Sequence, residues 1–305
     1  MDLRTEISEF LRSRRARLTP ERAGLGAGSG RRVPGLRREE VAVLASISVD
    51  WYVRIERGNL AGVSDEVLDA LSAALQLDEA EAAHLADLAR AARSSSRRPA
   101  AAGKRAILRP GLQIMIDSMQ GLPAWARNHR FEIVATNSLA RALYADLLRS
   151  RIADGNNARF TFLDPMAQDF YVDWEKTAND VVAVLRGYVG ANPSDRRLSN
   201  LVGELATRSP DFAKRWAAYD VKYHRTGRKT LHHQVVGDLD LGFEALALPE
   251  SSTLSLFVYY PADESTRERL QLLESWAATE ERDQRPDGEG VPDVSRVAGR
   301  DGGRG

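Results

Sequence analysis

The spacing of apolar residues changes once along the chain, and this change limits the folds that the chain can adopt. In residues 3–92, apolar side chains recur at helical spacing, as at Ile7 and Leu11, which predicts helices packed against one another. In residues 131–136 the sequence alternates apolar and polar side chains, as a half-buried strand does. The polar segment 93–105 separates the two patterns. We therefore expect an α+β protein whose N-terminal domain is entirely helical.

The later part of the chain predicts a sheet. Alternating runs at 230–236, 238–248 and 253–260 follow one another and are separated by short turn segments, which is typical of an antiparallel meander. Helical patterns at 174–188 and 195–207 lie between the first strand and these runs. This order indicates one antiparallel sheet with helices to one side.

Composition and patterning predict how the chain is divided. We expect residues 1–92 to form the helical domain, 93–107 a linker and 108–278 the mixed domain. Residues 279–305 are charged, rich in glycine and almost free of large apolar side chains. That composition predicts a disordered tail.

Charge is distributed unevenly, although the formal net charge is zero. Between Leu11 and Arg38 there are nine arginines and one acid, Glu21. Residues 58–89 contain seven acids and neither lysine nor arginine. A basic face beside an acidic one is typical of a DNA-docking surface on a neutral protein.

The sequence lacks cysteine, which excludes disulfides, thiolate zinc sites and cysteine nucleophiles. No apolar run resembles a signal peptide or reaches the roughly 20 residues needed to cross a bilayer. We therefore expect a cytoplasmic protein without membrane contact.

Histidines and aspartates form no pattern typical of catalysis or metal binding. His232 and His233 are adjacent on a predicted strand, so they point to opposite faces. Asp238 and Asp240 flank a predicted turn, where acids are common for local reasons. The sequence has no phosphate loop, dinucleotide fingerprint or nucleophile elbow. We expect a protein that is not an enzyme and needs no cofactor.

Residues 38–58 have the pattern of two short helices that cross at a turn. Their shared interior would consist of small and apolar side chains, namely Val41, Ala42, Ala45, Ile47, Tyr52 and Ile55. Ser48 begins the second helix, where its hydroxyl can cap free backbone N–H groups. The other side chains of this helix would form an outer surface, namely Val49, Asp50, Trp51, Val53, Arg54 and Arg57.

The N-terminal domain resembles the helix-turn-helix of the phage-repressor-like (Xre) regulators in three segments, FLRSRRARLTPE at 10–21, PGLRREEVAVLASISVDWYVRIERG at 34–58 and VLDALSAALQLDEAEAAHLADLA at 67–89. More narrowly, it is similar to actinobacterial regulators that carry an MmyB-like ligand-binding domain. Ser46 stands where this family usually has glycine, which implies strain in the turn. Residues 59–64 replace a stretch that is usually richer in arginine and proline, so the phosphate contact expected there is not assigned.

The similarity to the MmyB-like domain continues through 109–144, 162–174, 201–221 and 227–241. It implies a PAS-like α/β sensor fold with an antiparallel sheet and a pocket for an effector, such as a fatty-acid-like or another small apolar molecule. Candidate lining residues are Trp125, Asn137, Tyr144, Phe162, Trp216 and Phe257. For each of them, a plain role in the core is the alternative.

For the first domain, the resemblance implies that the helix from Val49 enters the major groove of DNA. The side chains nearest the base edges would be Val49, Asp50, Trp51 and Arg54. Arg54 can address guanine O6 and N7 together. Other arginines are expected to contact phosphates, namely Arg31, Arg32, Arg37, Arg38 and Arg57. The alternative for Trp51 is that it packs into the domain.

These features predict a sequence-specific transcription regulator whose partners are double-stranded operator DNA and a small-molecule effector. One recognition helix reads only a few base pairs, so we expect a homodimer on a symmetric site. Because the linker is polar, we expect the sensor to act mainly through the geometry of that dimer. The alternative is a module that binds a transcription or signalling protein, with DNA binding secondary. The arginine surface favours DNA, since protein interfaces are depleted in charge at their centre.

Overall fold

A computed structural model describes residues 3–26, 33, 35–94, 109–217, 226–248 and 254–283. Arg31 and Arg32, most of the predicted linker and the chain beyond Asp283 lie outside these residues. The described residues form a helical N-terminal domain and a C-terminal domain built on an antiparallel sheet. The predicted α+β class is therefore confirmed.

The N-terminal domain is a bundle of short helices around one apolar core. Its helices are α1 (Leu3–Arg17), α2 (Arg38–Leu44), α3 (Val49–Glu56), α4 (Asp65–Ala74) and α5 (Glu79–Ser94). They follow the predicted helical patterns because the residues that set the spacing, including Ile7, Tyr52 and Leu71, are buried together.

The turn between α2 and α3 holds Ser46 in the left-handed conformation, with φ at 55°. The Ser46 N–H donates to the Val43 carbonyl at 3.1 Å, and the Ile47 N–H donates to the Ala42 carbonyl at 3.0 Å. These two bonds close the end of α2 and require a left-handed residue between them. Glycine takes that conformation without steric cost, whereas serine does not. The strain expected at Ser46 is present.

The C-terminal sheet has five strands in the order β2-β1-β5-β4-β3, and each neighbouring pair is antiparallel. The strands are β1 (Ala124–Asn128), β2 (Ile133–Thr136), β3 (Thr226–His233), β4 (Gly237–Ala247) and β5 (Leu254–Pro261). The predicted meander is thus confirmed as β3, β4 and β5.

The strand predicted at 131–136 is shorter than expected, and a strand precedes it that the pattern did not indicate. Phe131 has φ at 64° and lies in the turn between β1 and β2, so β2 begins at Ile133. Every residue of β1 is buried. A strand buried on both faces need not alternate apolar and polar residues, which is why the alternation rule misses it.

The helices of the C-terminal domain are mostly short. They are α6 (Pro110–Asp117), α7 (Ser138–Leu143), α8 (Ala145–Arg149), α9 (Asn157–Leu163), α10 (Met166–Phe170), α11 (Trp174–Ala191), α12 (Arg196–Arg208), α13 (Pro210–Ala217) and α14 (Glu264–Asp283). Helix α14 extends past residue 278, so the first residues of the predicted tail are helical. None of the described helices is long and apolar enough to cross a membrane.

Both faces of the sheet are covered. Trp125 and Phe257 point into the main core, which also contains side chains of α7 to α10 and of α14. Ala124 and Ala126 point to the opposite face, which belongs to a smaller core with Ile116 of α6. The expectation that helices lie on one side only is wrong, because α6 packs on the second face.

The two domains are in contact. Helix α5 packs against α11, and Arg186 of α11 pairs with Glu6 of α1 at 2.8 Å. Arg186 is fully buried. No sequence pattern indicated this interface, because it joins α1 and α5 to α11, which is distant from both in the sequence.

We predict that Ser46→Gly stabilises the helix-turn-helix by roughly 0.5–1 kcal/mol. Relief of left-handed strain, about 1–2 kcal/mol, exceeds the entropic cost of glycine, about 0.5–1 kcal/mol. Urea denaturation of the full chain, followed by circular dichroism, measures the change. Ser46→Ala is the matched control, since alanine keeps the strain and should bring no gain. Equal stabilisation by both variants would contradict the strain at this position.

Candidate nucleic-acid interface and ligand cavity

Helix α3 presents one face to the core and the other to solvent. Its N-terminus is capped by Ser48, whose Oγ accepts a hydrogen bond from the Trp51 N–H at 3.2 Å, as predicted. Tyr52, Ile55 and Glu56 are buried against the rest of the domain. The opposite face is therefore available to a partner.

The residues expected near base edges all lie on the exposed face of α3. Val49 and Trp51 are 37% and 38% exposed, and Asp50 and Arg54 are also exposed. Trp51 is thus not packed into the core. A large aromatic that stays this open at a helix N-terminus, beside an exposed arginine, can contact a partner surface.

Glu56 organises the arginines around α3. Its carboxylate, almost completely buried, accepts a hydrogen bond from Arg15 Nε of α1 at 2.6 Å and another from Arg38 Nε of α2. The ion pair with Glu56 raises the pKa of Arg38. Arg38 therefore joins α2 to α3, and its side chain is not simply a free phosphate contact as the sequence indicated. No sequence signal had marked Glu56.

Arg37 and Arg57 flank this network at the surface. Arg37 precedes α2, and its backbone N–H donates to the Glu40 carboxylate at 2.7 Å. Arg57 ends α3 and is exposed. Both side chains are open to solvent at the ends of the two helices, where groove-docking proteins meet phosphates.

Gly58, directly after α3, fixes the end of this helix against α1. Its φ is 92°, and a Cβ at this position would lie 2.4 Å from the Arg4 carbonyl oxygen. Only glycine fits such a close backbone approach. The exposed face of α3 is thus held by the cap at Ser48, the Glu56 network and this contact.

The C-terminal domain contains a cavity between the inner face of the sheet and α11. Its walls are aromatic and apolar side chains, among them Trp125, Phe131, Tyr144, Val181, Val184 and Phe257. The cavity has a volume of about 40 Å³. Ligand pockets for small molecules usually measure about 300–1,000 Å³, so a ligand of that size fits here only if the cavity widens.

Two cations face this cavity. Arg127 on β1 is 6% exposed, and its guanidinium stacks 3.7 Å from the centre of the Phe131 ring and 4.8 Å from that of Phe257. Lys229 on β3 places Nζ 5.2 Å from the centre of the Tyr171 ring. Within the described residues, neither forms an ion pair within 4.0 Å, and Arg127 Nε has no hydrogen-bond partner.

Burial disfavours the charged form of both cations. It lowers the pKa of Arg127, and it lowers the pKa of Lys229 to about 8, while Asp180 on α11 acts in the opposite direction on Lys229. Asp180 lines the same cavity, so among the described residues two cations lie there with one carboxylate, and the positive charge in excess is costly in apolar surroundings. The site therefore favours an anionic group.

Neutral polar atoms complete the lining. The hydroxyls of Tyr144 and Tyr259 are joined by a hydrogen bond of 2.8 Å, and Asn157 donates to the Tyr171 hydroxyl at 3.0 Å. Burial raises the pKa of Tyr144 and of Tyr259, so both remain neutral. The charged groups of the described lining are Arg127, Lys229 and Asp180, and no sequence motif had indicated them.

The six predicted lining residues separate into two groups. Trp125, Tyr144 and Phe257 line the cavity. Asn137 instead caps α7 and accepts hydrogen bonds from the N–H groups of Ala124 and Ala140, at 3.1 and 2.8 Å.

The remaining two predicted lining residues also have places in the core. Phe162 packs edge-on against Phe212, and Trp216 stacks on the same ring. Both belong to an apolar cluster of α9, α11, α12 and α13 and do not line the cavity. The core alternative thus describes Asn137, Phe162 and Trp216, whereas Trp125, Tyr144 and Phe257 belong to the main core and also line the cavity.

A second, wider depression lies outside the sheet. It runs along β2, α7 and α8, has a volume of about 480 Å³ and is open to solvent. Arg141 and Arg149 are among its lining residues. The internal cavity is the better candidate for an effector with an apolar body, because buried aromatic rings line it together with the cations Arg127 and Lys229.

Comparison with protein families assigns both domains. A family model described as a helix-turn-helix domain matches residues 6–85, and the MmyB-like transcription regulator ligand binding domain matches residues 108–273. The chain belongs to the MmyB-like transcription regulators. No curated protein matches the sequence. The protein is therefore a DNA-binding transcription regulator with a ligand-binding domain, and its families are not those of an enzyme.

We predict that Arg54→Ala lowers the affinity for operator DNA by about 1–3 kcal/mol and leaves the affinity for unrelated duplex DNA nearly unchanged. The reason is that the exposed guanidinium can bond two guanine acceptors at once. Fluorescence anisotropy would compare a duplex selected from a random pool by the wild-type regulator with a scrambled duplex.

Arg57→Ala is the control for Arg54→Ala. It removes an exposed arginine expected at a phosphate, so it should weaken binding to both duplexes similarly. If Arg54→Ala also weakens both duplexes equally, Arg54 contacts the DNA backbone and does not read bases.

Proposed function

We propose that this MmyB-like regulator binds operator DNA through the exposed face of α3, and that a small molecule with an apolar body and one anionic group modulates this binding from the cavity. A fatty acid is the simplest compound of this kind. The observation that carries the ligand class is a pair of cations, Arg127 and Lys229, among the aromatic rings of a cavity whose described lining contains one carboxylate, Asp180.

The chemistry of the cavity supports an anionic ligand. A carboxylate can bond the guanidinium of Arg127 through two N–H groups and the Lys229 ammonium through a third. Pairing offsets the desolvation of all three charged groups, which an apolar ligand without charge could not do. The aliphatic part of the ligand would contact aromatic rings such as Trp125 and Phe257.

The DNA side of the proposal rests on α3 and its surroundings. Arg54, Trp51 and Asp50 are exposed on one face of a helix whose N-terminus is capped and rigidly held. Such a helix can enter the major groove without reordering. Arg37 and Arg57 at the ends of the two helices would contact phosphates.

We propose further that the regulator acts in the cytoplasm as a homodimer. A helix of eight residues such as α3 can read only a few base pairs. Two copies related by a two-fold axis double this information on a symmetric operator.

Binding of a carboxylate should weaken as pH rises through about 8, because the Lys229 ammonium is charged below its pKa and neutral above it. Decanoate is a suitable probe, since its own carboxylate stays ionised over this range. Isothermal titration calorimetry at several pH values around this pKa would measure the affinity.

Two controls make the pH test specific. Lys229→Met should bind decanoate more weakly at low pH and lose the pH dependence. The methyl ester of decanoate has no charge, so its binding to the wild-type protein should not change with pH. An identical pH profile in wild type and Lys229→Met would show that Lys229 does not bind the carboxylate.

The dimer proposal predicts two protected half-sites separated by about one helical turn of DNA or a multiple of it. Footprinting on the selected duplex, with analytical ultracentrifugation of the complex, would measure spacing and stoichiometry. One protected segment occupied by a monomer would contradict the proposal.

A further inference from the structure

Helix α11 separates the cavity from the helix-turn-helix domain. Val181 and Val184 form part of the cavity wall. Arg186 and Gly190 contact the other domain. Because an α-helix turns about 100° per residue, Val184 and Arg186 lie roughly 200° apart around its axis. One helix thus has the cavity on one face and the helix-turn-helix domain on the other.

The first interdomain contact is an ion pair. Arg186 Nη1 donates to Glu6 Oε1 of α1 at 2.8 Å, and the two side chains are 0% and 3% exposed. The guanidinium also lies 4.1 Å from the centre of the Trp216 ring, and Nη2 donates to the Trp216 carbonyl. A buried pair of this kind is stable only while its geometry is kept.

The second contact is a close approach of helices α5 and α11. A Cβ on Gly190 would lie 2.4 Å from Cε1 of the His84 ring and 3.3 Å from Cδ2 of Leu88. Burial, with Arg186 and Arg14 nearby, lowers the pKa of His84 to about 3, so the ring is neutral. The absence of a side chain at Gly190 therefore permits this interface.

Helix α1 also contacts α3, the helix whose exposed face would bind DNA. Glu6 faces α11, whereas Arg15, farther along α1, bonds Glu56 of α3 at 2.6 Å. Gly58, at the end of α3, lies directly against the backbone of Arg4. The interface with α11 is thus continuous, through a single helix, with the surface that would bind DNA.

We propose that α11 couples the two sites, and that entry of a ligand into the cavity displaces α11 and releases the helix-turn-helix domain from it. The inference rests on the proposed ligand binding in the cavity. The cavity volume of about 40 Å³ is far below that of a ligand pocket, so a ligand that enters must widen the cavity, and the valines of α11 form one of its walls. A displacement of α11 breaks the Glu6–Arg186 pair and the contact at Gly190.

Gly190→Ala tests the interface without altering either binding site. Its methyl group would collide with His84, and the domains should separate, while alanine favours the helix itself. Gly203→Ala in α12 is the matched control, because a Cβ there meets no atom within 4 Å. Glu6→Gln is a second variant, which removes the ion pair but keeps the shape of the side chain.

The separation of the domains can be measured in the full chain. Since the protein has no cysteine, Asp69→Cys and Asn200→Cys, both at exposed positions of α4 and α12, provide two unique sites for spin labels. The labelled protein is mixed with an excess of unlabelled protein, so that double electron–electron resonance reports the distance between the two domains of one protomer even in a dimer. Operator affinity is measured on the selected duplex with and without decanoate, and decanoate binding by calorimetry.

Wild type and Gly203→Ala should give one narrow distance distribution that decanoate broadens and lengthens. Gly190→Ala and Glu6→Gln should show the lengthened distribution without decanoate. Decanoate should change the operator affinity of wild type by roughly 5- to 150-fold. The Gly190→Ala variant without decanoate should show an operator affinity changed in the same direction. Decanoate should then change the operator affinity of this variant only a little further.

The outcomes separate this inference from the proposed function. Decanoate binding without a change in distance would overturn the coupling through α11 and leave the ligand class intact. Absence of decanoate binding would overturn the ligand class. In that case the coupling stands only if Gly190→Ala lengthens the distance and shifts operator affinity while Gly203→Ala does neither.

Discussion

The burial of Arg186 is the constraint on which the relation between the two domains depends. A guanidinium removed from water loses hydration free energy that only close partners can restore. Glu6 and Trp216 provide these partners, and Glu6 comes from the other domain. The pKa of Glu6 is raised, since burial outweighs the attraction of Arg186. The attraction between Glu6 and Arg186 is therefore offset by the cost of removing both groups from water. The pair fixes the orientation of the two domains more than it adds to stability.

The helix-turn-helix domain could be predicted from the sequence because its determinants are local. Helical spacing, the cap at Ser48 and the departure from glycine at Ser46 each concern a few neighbouring residues, and all three agree with the structure. The role of Glu56 could not be predicted in this way. Its partners Arg15 and Arg38 lie on two other helices, so only the fold brings them together.

The cavity was less predictable, because its lining comes from strands and helices that are distant in sequence. An aromatic residue that lines a cavity and one that fills a core have the same local pattern, as Trp125 and Trp216 show. The alternation of apolar and polar residues also does not identify a strand that is buried on both faces. Strand β1, which contains both Trp125 and Arg127, is such a strand. The strongest signal for a ligand, a desolvated arginine without a carboxylate partner, exists only in three dimensions.

Burial gives the same residue type different functions in this protein. Arg54 is exposed on α3, Arg38 lies between solvent and Glu56, and Arg186 is fully buried. An arginine always carries its charge, so its environment decides which group balances that charge. The group can be water or a bound partner, a carboxylate of the same domain, or a carboxylate of the other domain. The zero net charge does not reveal this division. Glu6 and Glu56 pair with arginines inside the protein, whereas Arg54 and Arg57 stay exposed at α3, so a positive surface can exist on a protein without net charge.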